Sequence, residues 1–478
     1  MNDHADGAVD VVVIGGGIAG LAAANRAVNA GASVLVIEAS DKIGGVMKTE
    51  MVNGFLVEHG PTSMGGSPAT VKLLGELGLV SQMVTPAADA KRRYVVRNDA
   101  MHALPSSPPA MLRSGLLSAS AKARLLAEPF VPRGSAQAAE SLAALVERRF
   151  GKEVLDYVVD PFVSGVCGGD ATRLSKRFTL RTLDELEQQY GSVLLGAIKR
   201  ARSGSAAGSP HIVSFRDGMQ QLPEALCRTI ESAHHGTVRT NARVTRVSRT
   251  DMSWEVRYEA NRQVCAVEAG AVVCALPAHA LNQVLWPEGW AASLRQVSAV
   301  RYAPIATVAL GFRRSQVSHA LDGFGVLIPS VEKRRILGAL FNSSMFANRA
   351  PADHCLVTAF VGGSRMRAVP SESEAIDAAV SELTILLGIR GAPVMTSVER
   401  WDAGIPQLEL GHEIVQMAAS NIAIQSTNAF FTGSYLSGVA IGDCLAHGSE
   451  TGDRAAVAAL RSREESCNIL ARMSDDRL

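Results

Sequence analysis

Apolar residues in this chain gather into short, dense runs separated by glycine-rich breaks. Val9 to Ile14 is apolar at every position except Asp10 and rich in β-branched residues, which predicts a strand buried on both faces. Gly15, Gly16 and Gly17 follow, then an alanine-rich stretch from Leu21 to Asn29 that predicts a helix stopped by Gly31. SVLVIE is a second buried strand ending in Glu38, and GFLVEHGP over 54–61 reads as a further short strand. Near the other end, AFFTGSYLSGVAIGDCLAHG over 429–448 repeats the order of apolar strand, glycine-rich turn and helix start.

The opening run does not fit a spanning helix, because each of its adjacent glycines costs roughly 1 kcal/mol of helix propensity. Nor does it fit a signal peptide, since MNDHADGA is acidic where such a leader is basic. The chain has 478 residues, enough for two or three domains, and 47% hydrophobic with 19% charged residues reads as soluble and globular. A net charge of +1 argues against a nucleic-acid partner. Seven scattered cysteines without CxxC spacing predict a reducing compartment, no disulfide scaffold and no metal site. ARSGSAAGSP at 201–210 is the one stretch that reads as a linker.

Strand, glycine turn, helix and second strand together make a βαβ unit suited to a dinucleotide. Gly15 permits the sharp turn, Gly17 lets the backbone approach a pyrophosphate, and Gly20 lets helix and strand pack. The helix N-terminus offers unpaired N–H groups to phosphate oxygens. Glu38, 18 residues after Gly20, stands where a carboxylate accepts hydrogen bonds from a ribose diol. A nicotinamide enzyme would continue with more βαβ units. This chain instead offers Gly44-Gly45, with Lys42 before them to meet phosphate charge.

With both glycine signatures in view, the chain resembles the flavin amine-oxidase superfamily, in which the FAD domain is discontinuous. VSFRDGMQQLPEAL (213–226), NARVTRVSRT with WEVRYE, AGAVVCALPAHAL (269–281) and the 429–448 block resemble its re-entering segments. The resemblance implies FAD held by Gly15, Gly17, Ile18, Ala19, Gly20, Glu38, Ala39, Lys42, Gly44, Gly45, Gly60 and Pro61. It adds Val244 or Val247 through the main chain, Trp401, Gly433, Val439 and Ala440. The fold it implies is α/β (α+β overall), with a discontinuous Rossmann-like FAD-binding domain (1–82, 211–290, 413–478). A mixed-sheet substrate domain (83–104, 291–412) and a helical domain (105–210) complete it.

Within the superfamily, KRRYVVRNDAMHALPSSPPAML, DPFVSGVCGGDATRLS, LEQQYGSVLLGAIKR, LGALFNSSMFANRAP and WDAGIPQLELGH resemble protoporphyrinogen oxidases, in family order along nearly the whole chain. Such an enzyme removes six electrons from protoporphyrinogen IX in three rounds through FAD, with O2 as acceptor, late in haem synthesis. A broad apolar tetrapyrrole with two carboxylates needs an oily pocket with cations at its rim. Arg93 matches the propionate-binding position, although Lys91 and Arg92 beside it leave the assignment open. Leu327, Leu340 and Phe360 match positions that sandwich pyrrole rings, and Gly165 and Val166 a segment close to the flavin.

No acid or base stands out: His59, His102, His279, His412 and His447 read as isolated, so backbone groups or water would accept the protons, the Gly165 carbonyl being one catalytic candidate. Leu408 and Ser434 depart from the family pattern, so coproporphyrinogen, an amine or a secondary-metabolite intermediate stays open as substrate, as does porphyrin binding without turnover. Residues 91–202 hold 18 Lys/Arg against 11 Asp/Glu, and PPAMLRSGLLSASAKARLL resembles the family's membrane-contacting region. The remaining expectations are a homodimer in the bacterial cytoplasm, peripheral on the inner face of the membrane.

Overall fold

The computed structural model describes residues 4–90, 92–105, 107–135, 139–203, 211–250, 253–426 and 428–475. In chain order the strands are β1 (His4–Ile14), β2 (Val34–Ile37), β3 (Thr49–Val52), β4 (Phe55–Glu58), β5 (Met64–Gly66), β6 (Met83–Val84) and β7 (Arg92–Arg97). They continue with β8 (Ala100–Ala103), β9 (His211–Phe215), β10 (Gly236–Arg239), β11 (Ala242–Arg249), β12 (Trp254–Ala260) and β13 (Gln263–Cys274). The last are β14 (Tyr302–Arg313), β15 (Gly323–Leu327), β16 (Gly338–Leu340), β17 (His354–Gly362), β18 (Met395–Pro406) and β19 (Ala429–Phe431).

The first sheet runs β10-β2-β1-β13-β12-β11, with β19 also on β13. Its β10, β2, β1, β13 and β19 are parallel neighbours, while β11, β12 and β13 form an antiparallel meander. The unbroken apolar runs have a physical reason. Val11, Val13, Val34, Val36, Ala271 and Val273 enter the core on one face, and Val12, Ile14, Leu35, Ile37, Val272 and Cys274 the core on the other. Two-sided burial removes any need for polar alternation.

On the first face lies the Ile18–Asn29 helix, crossed by the long Ile441–Asp475 helix. The crossing is close because glycines face alanine-rich backbone. A Cβ added to Gly448 would stand 2.3 Å from the Ala19 carbonyl oxygen. The second face carries the helices Ala291–Ser298 and His412–Gln425 through Leu294, Val297, Val415 and Ile422. The Ala291–Ser298 helix packs on the first sheet because its apolar side chains meet that core, and after it the chain enters the second sheet at Tyr302.

The second sheet runs β18-β14-β17-β16-β15-β7-β8. One of its faces packs under the Glu372–Leu387 helix, with Val308, Leu310, Val326, Ala339, Val357, Ala359 and Leu383 in a shared core. Between the sheets in sequence, helices from Pro108 to Arg202 gather around Leu142, Leu145, Val146, Val163 and Leu186. That bundle also buries an ion network: Arg149 meets Glu187 at 2.9 Å and Glu128 at 3.2 Å, all three fully buried. Removing one member would strand the others' charges in the interior, a cost of about 3–5 kcal/mol.

Of the expected linker, residues 204–210 lie outside the described residues. The six described cysteines are free thiols, and among the described residues no helix is long and apolar enough to cross a membrane.

Candidate functional site

The carboxyl ends of β1, β2, β13 and β19 meet at one edge of the first sheet. Gly15 N–H binds Ile37 O at 2.9 Å, Ala275 N–H binds Ile14 O at 2.8 Å, and Thr432 N–H binds Cys274 O at 2.9 Å. Ligands of α/β sheets lodge in such a crevice. Gly15 has φ +105°, a backbone conformation that favours glycine, and a Cβ on it would approach Ala275 O to 3.1 Å. A Cβ on Gly20 would stand 2.1 Å from Gly15 O, so the helix can start this close to its strand only with glycine there.

Gly17 differs from both. Its added Cβ would meet nothing within 4 Å, and no side chain caps the helix that it opens. The loop therefore presents bare backbone and free N–H groups to open space, which fits a pyrophosphate. Gly44 N–H binds Gly16 O at 2.8 Å, and the Gly45 Cβ position lies 3.5 Å from Gly17 Cα. The two glycine signatures, distant by eye in the sequence, are one surface. Ile18 is half-buried and Ala19 buried behind the loop.

Glu38, half-buried at the end of β2, accepts the Gly16 amide at 2.7 Å with Oε2 and the Ser40 amide at 2.8 Å with Oε1. This gives Gly16, absent from the expected set, a role: a Cβ there would sit 3.1 Å from Glu38 Cβ. Ala39 and Lys42 are exposed beside the crevice, and among the described residues no acidic side chain pairs with Lys42. Glu38 O accepts the Ala242 amide at 2.9 Å, which brings the start of β11 and Val244 near. Val247 gives its amide to Leu285 O at 2.8 Å, so that donor is engaged within the protein.

On the far side, Gly433 (φ +142°) opens the turn after β19, with Val439 half-buried and Ala440 exposed before the terminal helix. Gly60 is fixed by crowding, since its Cβ would stand 1.8 Å from Val46 O; Pro61 follows it, half-buried. Here the β3–β4 hairpin joins the second sheet. The His59 carbonyl accepts both Thr307 Oγ1 at 2.9 Å and Trp401 Nε1 at 3.1 Å, from β14 and β18.

From that seam the other face of the second sheet, partly covered by Phe55 and Val57 of β4, extends as one cross-strand row. Val95, Leu327, Gly338, Phe360, Thr307 and Glu399 are register partners in turn. Directly opposed residues share a face, and six strands span roughly 24 Å at about 4.8 Å per interval. One step along lies a second row of Arg93, Gly325 and Leu340. Leu327, Leu340 and Phe360 are half-buried there, away from the helix-covered core. Gly165 meets Leu327 directly: its added Cβ would stand 2.5 Å from Leu327 Cδ2. Thus Gly165, Leu327, Leu340, Phe360 and Arg93 share one face, with Trp401 and Gly60 at its inner end.

The arginines of β7 separate cleanly. Arg92 pairs with Asp322, which also accepts Tyr94 Oη at 2.6 Å, and Arg97 pairs with Glu153 at 2.5 Å. Arg93 is exposed, lies 5.1 Å over the Phe324 ring and has no carboxylate partner among the described residues. Lys91, the third member of the basic triplet, lies outside the described residues.

Two findings were not legible in the sequence. His59, read there as isolated, is buried between carboxylates, with Nε2 3.1 Å from Glu50 Oε2 and Nδ1 3.9 Å from Glu399 Oε2. Glu58 beside it is buried and accepts Thr49 Oγ1 at 2.6 Å and the Met219 amide at 2.9 Å. Burial pushes the Glu58 carboxyl up to about 7, against the lowering pull of those donors and of Arg349. His412 and His447 are satisfied locally, by Tyr435 O at 2.8 Å and by Thr432 Oγ1 at 2.9 Å. Among the described residues no cluster of His, Cys, Asp and Glu could hold a metal ion.

Comparison with known proteins gives this crevice its relatives. The flavin containing amine oxidoreductase family matches residues 18–460. Protoporphyrinogen oxidase 2, chloroplastic/mitochondrial, of Arabidopsis thaliana is 31% identical, with 93% of each chain covered. Coproporphyrinogen III oxidase of Bacillus subtilis (strain 168) is 26% identical over 93% of this chain and 97% of its own. A crystal structure from Exiguobacterium sp. 255-15 superposes with TM-score 0.78 at 21% identity, over 95% of this chain and all of that one. Glycine loops, paired sheets and a match across almost the whole length agree: the chain belongs to the flavin containing amine oxidoreductase family.

Proposed function

We propose that this protein oxidises protoporphyrinogen IX, with FAD as its cofactor. The observation that carries the substrate is Arg93. Alone among the β7 arginines it lacks an acidic partner among the described residues, and it borders a face some 24 Å wide, by about 4.8 Å per strand, that is free of charge from Val95 to Phe360 and carries Thr307 and Glu399 at its inner end. A guanidinium free to grip a carboxylate in two-point fashion, beside Leu327, Leu340 and Phe360, suits an oily macrocycle with few acidic groups. A four-carboxylate porphyrinogen would need further cations, and Arg92 and Arg97 are already engaged. The names of the relatives support the substrate class.

The Gly15–Gly20 loop, Glu38, Gly44–Gly45 and the Gly433–Ala440 turn would hold the dinucleotide. When bound, FAD supplies hydride-accepting chemistry. The chain's own residues bind and orient. Arg93 anchors the carboxylate end, Leu327 and Phe360 carry the rings, and Gly165 leaves Leu327 room to lie flat. Trp401 and Thr307, both tied to the His59 carbonyl, fix the inner wall. The buried core behind the face keeps water away from the reacting end.

Anaerobic mixing with protoporphyrinogen IX tests the reading. Rapid loss of the flavin's visible absorbance is the expected result. Loss with amines only, or porphyrin binding without any loss, would overturn it. Oxygen as final acceptor belongs to the same proposal and is checked by hydrogen peroxide formed per turnover. A peripheral membrane contact is supported by Leu126 and Phe130, 62% and 88% exposed beside Arg124 and Arg133, and is checked by sedimentation with anionic vesicles.

A further inference from the structure

We infer that Glu399, His59 and Glu50 form a relay that carries the protons of substrate oxidation from the substrate face to bulk water. The inference rests on the porphyrinogen reading above, since that reaction must shed protons as well as hydride.

The geometry runs from inside to outside. Glu399 sits in the same cross-strand row as Thr307 and Phe360, so it belongs to the face that receives the substrate. Its Oε2 lies 3.9 Å from His59 Nδ1. The imidazole is buried, with 3% of its side chain exposed, and its Nε2 lies 3.1 Å from Glu50 Oε2. The Glu50 side chain is 56% exposed and opens to solvent. The chain is therefore carboxylate, imidazole, carboxylate, dry in the middle and wet at one end.

The backbone that carries the ring is also fixed. The His59 carbonyl accepts Thr307 Oγ1 and Trp401 Nε1, and its amide binds Lys48 O at 2.9 Å. Lys48 Nζ lies 2.7 Å from Glu399 Oε2 and offsets the charge of that carboxylate. The facing charged groups are thus Glu50, Lys48 and Glu399, from β3, its approach and β18. A partly exposed ion pair contributes little stability, about 0–1 kcal/mol, so stability alone is a weak reason for burying an imidazole here.

In one two-electron step a C–H bond of a bridging methylene breaks, and bound FAD would supply the acceptor for its hydride. A pyrrole N–H bond breaks, its electron pair stays in the ring as part of the new conjugated double bond, and the proton goes to Glu399. Glu399 then passes a proton to His59 Nδ1, while the Nε2 proton goes to Glu50 and on to water. Substrate loses two hydrogens: one as the hydride that bound FAD would accept, the other as a proton that reaches solvent. The 3.9 Å step closes through one water or a small movement of the Glu399 carboxyl, as such contacts tighten around bound substrate.

Two variants test the relay. His59→Asn keeps the backbone carbonyl that holds Trp401, and Glu50→Gln changes an exposed side chain. Both should retain flavin and the resting visible spectrum. In anaerobic single turnovers with protoporphyrinogen IX, His59→Asn should slow flavin bleaching by about 10- to 100-fold, with partial rescue by added imidazole. Glu50→Gln should slow it less and alter the solvent deuterium isotope effect. In the resting protein, nitrogen NMR of labelled histidine should show one ring signal lost in His59→Asn and shifted in Glu50→Gln. Wild-type bleaching rates and isotope effects in both variants would overturn the relay while leaving the substrate reading intact. A wild-type protein that protoporphyrinogen IX cannot bleach would overturn both.

Discussion

Gly452 packs so closely on Ala23 that a Cβ added to it would stand 2.1 Å from the Ala23 carbonyl oxygen. Together with Gly448 over Ala19, this contact sets how near the terminal helix comes to the helix that begins at the first glycine loop. Gly452→Val should destabilise the fold by about 1–3 kcal/mol through overpacking. The measurement is denaturant unfolding, with flavin content as a second readout. Equal midpoints for variant and wild type would show that the helices can part without cost.

Glu38 binds the Gly16 amide as well as facing the crevice. Glu38→Ala removes the acceptor for a half-buried N–H, at about 1–3 kcal/mol, and with it the carboxylate offered to a ribose. Flavin affinity should fall by about tenfold or more, on the rule that 1.4 kcal/mol is a factor of ten. Extended dialysis followed by flavin fluorescence checks this. Full retention would remove Glu38 from the cofactor site.

Arg93 and Arg92 are adjacent but differently engaged, which makes them a matched pair. Arg93→Ala should raise KM at least tenfold with flavin content unchanged, because it touches only the carboxylate end. Arg92→Ala, which breaks the surface pair with Asp322, should leave KM near the wild-type value. Steady-state kinetics on both decides. The reverse order would move the anchor to Arg92.

Glu58 makes stability depend on pH in an unusual direction for a carboxylate. Its folded value is about 7 against an ordinary 4.5, so the folded chain binds the proton more tightly than the unfolded one. Its contribution is therefore full below about 4.5 and declines as pH rises towards 7, by about 3 kcal/mol at most. Glu58→Gln should flatten the thermal stability of the protein over that window. An unchanged slope would assign the pH dependence to other groups.

What the sequence disclosed, and what it hid, follows from the range of the forces involved. The first βαβ unit was legible because strand, turn and helix each leave a local mark: β-branched density, glycine spacing and alanine content. The apolar face was legible only through resemblance, since Leu327 and Phe360 look like any core residues until their register is known. His59 looked isolated because its carboxylates lie 9 and 340 residues away along the chain, and only the packing of the β3–β4 hairpin on the second sheet brings Glu399 to it. Gly448 and Gly452 passed unnoticed for a similar reason. A glycine pair inside a helix has no meaning until the opposing backbone is known. Within the basic triplet, Arg92 is engaged by Asp322, again a distant partner.

The parallel core of the first sheet is assembled from residues 4–14, 34–37, 236–239, the end of 263–274 and finally 429–431. During synthesis the opening glycine loop thus emerges more than 400 residues before β19, and before the helix that braces it from behind. Long-range closure of this kind is slow. A nascent or truncated chain therefore displays the loop without the far wall of its crevice, and loading of the prosthetic group becomes one of the final events in maturation.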